Sequence, residues 1–168
     1  MEGNMKVQLR KMSKDEFDIF SENSINDYTN DLMKSSDITM DEARIQAQGE
    51  FEEMLPNGLE TQNNVLRIIV DVDEQKAVGT IWYLFEMTEG VKQVFLSDFI
   101  IKEEERRKGY ASSALAEMEQ DARQNDCSES IIYVWKHNLP GINLYTKCGY
   151  VTFREVDDGM YMKKGIKG

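Results

Sequence analysis

The 168-residue chain is short of several things. It has two cysteines, Cys127 and Cys148, one histidine, His137, and two prolines, Pro56 and Pro140. Two cysteines cannot build a disulfide framework, and with a single histidine they supply no Cys/His set for a structural zinc; no metal is expected. No apolar run approaches membrane-spanning length. Met1-Glu2-Gly3-Asn4-Met5-Lys6 lacks the basic and then apolar build of a secretory signal, so a cytoplasmic location with reduced thiols is the expectation. Positive charge is scarce as well. Twenty Lys and Arg against 31 Asp and Glu leave a net charge of −11 and a pI near 4.6. Neutralising nucleic-acid phosphates needs a cationic footprint, and docking on anionic lipid needs one too, so neither partner is expected. The charge suits a soluble enzyme and leans toward a cationic substrate, although solubility alone also accounts for it.

What is present is ordinary globular material: 40% hydrophobic and 10% aromatic residues, with no internal repeat and no low-complexity linker. The length fits a single domain over 1–168. Val7 to Met12 alternates as a first strand. Ser13-Lys14-Asp15-Glu16 and Thr39-Met40-Asp41-Glu42 have the form of capping boxes. The first opens a helix with Phe17, Phe20, Tyr28 and Leu32 on one stripe; the second opens a helix with Ala43, Ala47, Phe51, Met54 and Leu55. Leu55-Pro56-Asn57-Gly58 stops it. Three strands follow, Val65 to Val72, Ala77 to Phe85 and Gln93 to Ile101, reading as consecutive antiparallel neighbours. A helix from Gly109 buries Ala111, Ala114, Leu115, Met118 and Ala122. Then come a strand over Ile131–Trp135, a short helix over Leu139–Cys148, and a closing hairpin of Val151–Phe153 and Met160–Met162 around Asp157-Asp158-Gly159. This order predicts an α+β fold: a mixed, mostly antiparallel sheet of about seven strands with helices on both faces.

Ile100 to Ala111 is the most informative segment. A strand ends, a charged loop turns, and a helix begins at Gly109 with the small Ala111 just behind it. The first N–H groups of a helix have no intrahelical acceptor and sit at the positive end of its dipole, which suits an anion. Gly109 allows close backbone approach to a phosphate. Arg106, Arg107 and Lys108 make a basic island in an acidic chain. Phosphate binding and a solvated helix start are equally compatible with this segment alone. Further on, a strand ends near Lys136, a short helix follows, and Gly149 stands in the C-cap position. Tyr145 lies on that helix. Its phenol is a plausible proton donor to a thiolate; a core tyrosine with a satisfied hydroxyl is the plainer reading.

Together the two segments resemble the GCN5-related N-acetyltransferase (GNAT) superfamily. Arg106, Gly109 and Ala111 occupy its Arg/Gln-x-x-Gly-x-Gly/Ala phosphate motif. Asn138, Leu144, Tyr145 and Gly149 match its later Asn-x-x-Ala-x-x-Leu-Tyr-x-x-x-Gly-Phe motif, with Gly141 in place of Ala and Tyr150 in place of Phe. The element order is similar from Met5 to Lys164, and Leu55 to Thr61 resembles a linker in one bacterial subset of the superfamily. The resemblance implies acetyl transfer from acetyl-coenzyme A to a small or peptide amine. It implies that backbone amides from Arg107 through Lys108, Gly109, Tyr110 and Ala111 to Ser112 hold the pyrophosphate. It implies that the backbone of Phe99 and Ile101 pairs with the pantetheine arm like an added strand. The strands ending at Ile101 and Lys136 would splay to admit the thioester, Asn138 would lie along the cofactor, and Tyr145 would protonate the departing thiolate. A homodimer is common in the superfamily.

The amine must lose a proton before it attacks. Asp98, a carboxylate in the apolar run Leu96-Ser97-Asp98-Phe99-Ile100, is the leading candidate base. Alternation puts it on the face opposite Phe99 and Ile101, unless a bulge intervenes. Anchoring the amine's charge and a hydrogen-bonded structural role are its alternatives. Glu86 is a second candidate base; His137 is better read as a loop residue. Cys127 and Cys148 read as structural, since direct attack needs no thiol nucleophile. Tyr28, Trp82 and Tyr83 are candidates for the acceptor pocket, with core packing as the simpler role. A non-catalytic acyl-coenzyme A sensor, with the cradle but not the acid and base, is the alternative function, and a purely structural protein on the same fold is a third.

Overall fold

The computed structural model describes residues 6–167; Met1 to Met5, on which the expectation of a cytoplasmic location and the start of the resemblance rest, lie outside the described residues. The elements are β1 (Val7–Lys11), α1 (Lys14–Ser35), α2 (Met40–Met54), β2 (Asn64–Asp71), β3 (Lys76–Thr88), β4 (Val91–Ile101), α3 (Tyr110–Gln124), β5 (Glu129–Trp135), α4 (Leu139–Lys147), β6 (Val151–Glu155) and β7 (Gly159–Gly165), with single 3-10 turns at Gly58–Glu60 and Glu103–Glu105. They fall into two compact units: Met12–Asn64, and β1 together with the chain from Val65 onward.

The first unit is the helix pair. Both predicted capping boxes form: Ser13 Oγ accepts from Glu16 N–H at 3.1 Å while Glu16 returns to Ser13 N–H, and Thr39 and Glu42 do the same. Phe17, Phe20 and Phe51 sit with ring centroids 6.4 Å apart, tying α1 to α2. Met54, expected on the buried face of α2, is 40% exposed because it ends the helix while the C-cap residue Leu55 turns inward.

The second unit is a seven-stranded sheet in the order β1-β2-β3-β4-β5-β7-β6. The β1–β2, β3–β4, β5–β7 and β7–β6 pairs are antiparallel, and β4–β5 is parallel. Helix α3 is the crossover between β4 and β5 that a parallel pair requires. It packs Ala114, Leu115, Met118 and Ala122, each at most 1% exposed, against Ile69, Val78, Ile81, Tyr83 and Val94. Truncating Leu115 or Met118 to Ala in such packing costs about 2–5 kcal/mol. The buried stripe of α3 differs from the expected one at two places. Ala111 is only half-buried, and the polar Tyr110 and Glu119 are buried, each with a partner.

One irregularity shapes everything that follows. Trp82 pairs with Asp98 but Tyr83 pairs with Leu96, so Ser97 is an extra residue in β4. Such a bulge shifts the pleat by one. Val94 and Leu96 face the core before it; Ile101 and the partly buried Phe99 face the same core after it. Without the extra residue, Asp98 would continue the Val94–Leu96 side. With it, Asp98 turns to the opposite face, away from Phe99 and Ile101.

Candidate active site

Strands β4 and β5 pair over only four positions, from Gln93↔Glu129 to Leu96↔Ile132. Both then continue, β4 to Ile101 and β5 to Trp135, without pairing to each other. The sheet is therefore parted between them. Backbone direction decides what β4 offers to that opening. Lys102 N–H donates to Val78 O at 2.8 Å, on the β3 side. Because backbone groups alternate along a strand, Ile100 and Asp98 also turn toward β3, while Phe99 and Ile101 turn theirs toward the opening. One of those groups is already engaged: Arg106 Nε donates to Ile101 O at 2.9 Å.

The start of α3 lies just beyond. Gly109 is its N-cap, with φ 91°, and makes no side-chain cap. Arg107, two residues earlier, also has a left-handed φ of 65°, a conformation costing a non-glycine residue about 1–3 kcal/mol. Left-handed residues alternating with ordinary ones turn successive N–H groups into one concavity, the usual backbone seat for a phosphate. Ser113 N–H bonds Gly109 O at 3.2 Å, the first turn of the helix. The N–H groups before it have no intrahelical acceptor.

The basic island is less bare than the sequence suggests. Glu103, Glu104 and Glu105 immediately precede Arg106, Arg107 and Lys108, so the six residues carry no net charge. Arg106 turns to Ile101 O. Lys108 Nζ is 3.0 Å from Glu105 Oε1, and Lys76 Nζ is 3.2 Å from Glu105 Oε2. Glu105 is buried, and the Lys108 and Lys76 ammonium groups hold its carboxyl below the usual carboxylate range. Tyr110, 1% exposed, donates to Asp71 Oδ2 at 2.5 Å, and Asp71 Oδ1 also accepts from Asp73 and Glu74 N–H. That bond pushes the Tyr110 phenol up to about 12 and Asp71 down. The loop is thus fixed by its side chains, Arg106, Lys108 and Tyr110 each having a partner, while Arg107 is exposed. Glu105 and Asp71 were not singled out from the sequence. Glu105 and Lys108 stand in a readable i, i+3 relation; Asp71 and Tyr110 are separated by 39 residues and carry no local signal.

Across the opening, α4 begins after β5. Asn138 is its N-cap, and Oδ1 accepts from Gly141 N–H at 3.0 Å. A Cβ at Gly141 would fall 2.5 Å from Asn138 Nδ2, so the glycine in place of the motif's alanine leaves room for this cap. Asn138, expected along the cofactor, thus has a helix-capping bond of its own. Tyr145 is 8% exposed on α4, with its ring edge-on to Tyr150 at 6.1 Å. Five of the seven tyrosines donate to a carboxylate: Tyr28 to Glu50, Tyr83 to Asp121, Tyr110 to Asp71, Tyr133 to Asp158 and Tyr150 to Glu119. Buried Tyr145 is not among them. Burial raises its pKa, and the nearby negative charge of Asp98 raises it further, so the phenol keeps its proton at neutral pH. The same effect places Asp98 and Tyr145 within electrostatic reach of each other, from β4 and α4.

Of the remaining candidates, Tyr83, at 1% exposure, packs in the core with α3, while Trp82, at 3%, is buried on the other face of the sheet, directly opposite Asp98. Glu86 accepts from Gln93 Nε2 at 2.6 Å. His137 is exposed and stacked on Trp135. Cys127 is buried, which raises its thiol pKa; Cys148 Sγ lies 3.7 Å from Ser112 Oγ, beside an open groove of about 290 Å³ between α3 and α4. Among the described residues no cluster of His, Cys, Asp and Glu fits a metal ion, and no helix is long and apolar enough to cross a membrane.

Comparison with known proteins bears on this arrangement directly. The profile of the Acetyltransferase (GNAT) family matches residues 28–150. The uncharacterized N-acetyltransferase YycN of Bacillus subtilis is 30% identical over 159 residues, covering 95% of this chain and 99% of the relative. Its crystal structure superimposes with a TM-score of 0.83 at 28% identity, over 90% of this chain and 96% of that one. The PaiA N-acetyltransferase of Thermoplasma acidophilum, solved with coenzyme A, shares the fold at 16% identity, with a TM-score of 0.71 over 96% and 99% of the two chains. A match across three-quarters of the length, in a chain whose sheet parts beside an open helix start, has one reading: this protein belongs to the acetyltransferase (GNAT) family and is an acetyl-coenzyme A-dependent N-acetyltransferase.

Proposed function

We propose that the chain, acting as one domain over 1–168, moves the acetyl group of acetyl-coenzyme A to a primary amine by direct attack, without an acyl-enzyme. The carrying observation is the parting of β4 from β5 beside the uncapped start of α3. In the transfer the amine nitrogen bonds the acetyl carbon, the carbon–sulfur bond breaks with its electrons going to sulfur, and sulfur takes up a proton. The N–H groups from Arg107 to Ser112 hold the pyrophosphate. The Phe99 backbone and Ile101 N–H pair with the pantetheine arm, and Arg106 steadies that edge through Ile101 O. Tyr145 Oη is the proton donor to sulfur. Asp98, turned by the bulge away from the Phe99–Ile101 side, receives the amine proton directly or through water, or anchors the amine. The family match runs across both compact units, which supports treating them as one functional domain. Two free thiols fit a cytoplasmic enzyme.

Thiol release measured over a panel of amines tests this. Release that requires both acetyl-coenzyme A and an amine is expected; tight coenzyme A binding with no release across the panel would overturn it in favour of a sensor. Tyr145→Phe should lower kcat about a hundredfold while coenzyme A affinity stays within about twofold. An unchanged kcat would remove Tyr145 from the acid role.

A further inference from the structure

The face of the sheet that carries Asp98 holds a second feature. Phe95 pairs with Ile131 across the parallel ladder, so the two share a face. On β5 that face continues through Tyr133 and Trp135, and on β4 the bulge at Ser97 continues it through Asp98. Tyr133 follows directly on Ile132, the last paired residue, so its ring stands where the strands part. On β7, Tyr161 opposes Tyr133 and Gly159 opposes Trp135.

These rings form one fixed wall. Tyr133 meets Trp135 edge-on at 5.5 Å and Tyr161 at 5.1 Å, and His137 stacks on Trp135 at 5.8 Å with an 18° tilt. Tyr133 lies across Gly159, where a Cβ would fall 2.4 Å from its hydroxyl. That hydroxyl donates to Asp158 Oδ1 at 2.6 Å. Tyr133 and Trp135 are nevertheless only half-buried. The carboxylate of Asp158 lies against the wall through that hydrogen bond, and Asp98 is on the same face of the sheet, on the neighbouring strand. The chain's own cations already use its outer rings: Arg154 lies 4.8 Å over Tyr161, and Lys163 lies 5.0 Å over Phe153.

Aromatic faces bordered by carboxylates attract organic cations and disfavour anions. We propose that Tyr133 and Trp135, with Asp158 behind them, form the acceptor wall of the enzyme and select amines that carry a second positive charge away from the reacting nitrogen. This rests on the acetyl-transfer reading above. Trp135 is a specificity residue here; it takes no part in the proton transfers.

Three amines of matched chain length separate the possibilities: hexamethylenediamine, hexylamine and ε-aminocaproate, whose far ends are positive, neutral and negative. With the full-length protein, kcat/KM should be about tenfold higher for the diamine than for hexylamine, and lowest for ε-aminocaproate. Trp135→Leu should abolish the preference for the diamine by raising its KM, with the KM for acetyl-coenzyme A unchanged, and Trp135→Phe should restore most of it. Equal rates for the three amines, or a Trp135→Leu variant that keeps the preference at unchanged melting temperature, would overturn the inference. If none of the three is acetylated, calorimetry with the coenzyme A complex divides the two ideas. Binding of hexamethylenediamine that Trp135→Leu weakens would uphold the wall and overturn acetyl transfer; no binding would overturn the wall.

Discussion

Helices α3 and α4 each start at the C-terminal side of one of the two parted strands, and they treat their first N–H groups in opposite ways. At α4 the chain closes its own helix: Asn138 accepts from Gly141, and Pro140, in the first turn, has no N–H to satisfy. At α3 the cap position is Gly109, which has nothing to close with. The side chains near α3 have partners of their own, Tyr110 with Asp71 and Lys108 with Glu105. The first two helices side with α4, each with a reciprocal capping box. A helix start finished by its own sequence is structural. The start of α3, which no side chain caps, is the one proposed above as the pyrophosphate seat.

Substitutions that exchange the two treatments test this difference. Gly109→Asp would put a negative charge at the start of α3; coenzyme A affinity should fall about a hundredfold by calorimetry, with a stability loss of about 1–3 kcal/mol because φ is 91° there. Retained affinity would mean that the start of α3 is not the pyrophosphate seat. Glu105→Gln loosens the brace on Lys108, and should weaken coenzyme A about tenfold while leaving the KM for the amine alone. Asn138→Ala is the counterpart at α4: a loss of about 1 kcal/mol in stability, with coenzyme A affinity within about twofold. A large loss of affinity there would show that Asn138 serves the ligand as well as the helix.

The smallest effect is in pH. Tyr110, pushed up to about 12 by Asp71, contributes stability that is complete below the ordinary phenol pKa of ~10 and fades as pH rises through the shifted value. Asp71, held low mainly by the same bond, contributes stability that is complete above the ordinary carboxylate pKa of ~3.9 and is lost as pH falls through the lowered one. Melting temperature against pH should therefore be flatter in Asp71→Asn than in the native chain at both extremes.

The elements were legible because their signals are local. Two capping boxes, a Pro-Asn-Gly stop, alternating strands and the Gly109 start are read within a few residues of chain, and all are present in the fold. Tyr145, Gly109 and the strand pair around the opening were reached the same way, through short motifs. Three things were not legible. The Tyr110–Asp71 bond joins residues far apart in sequence. The partners of Arg106 and Lys108 depend on which way a flexible side chain turns, which charge counting does not reveal. The bulge at Ser97 changes no residue type; it is seen only in the mismatch between strands, Trp82 with Asp98 but Tyr83 with Leu96. Trp135 carries no signal of its own in the sequence, because an aromatic in a strand is ordinary until its neighbours on β7 are known.

The parted strands have a consequence for the life of the protein outside catalysis. Unpaired strand backbone is the usual template on which chains add to one another and aggregate. Here the unpaired stretch of β4 lies in the middle of the sheet, between neighbours β3 and β5, rather than at its rim. A second protein strand would have to enter lengthwise between two strands that rejoin at Leu96 and Ile132. A slender, flexible molecule ending in a small reactive group meets no such obstacle. Backbone groups parted in mid-sheet, as proposed for the pantetheine arm, are therefore open to such a molecule without being offered to other proteins.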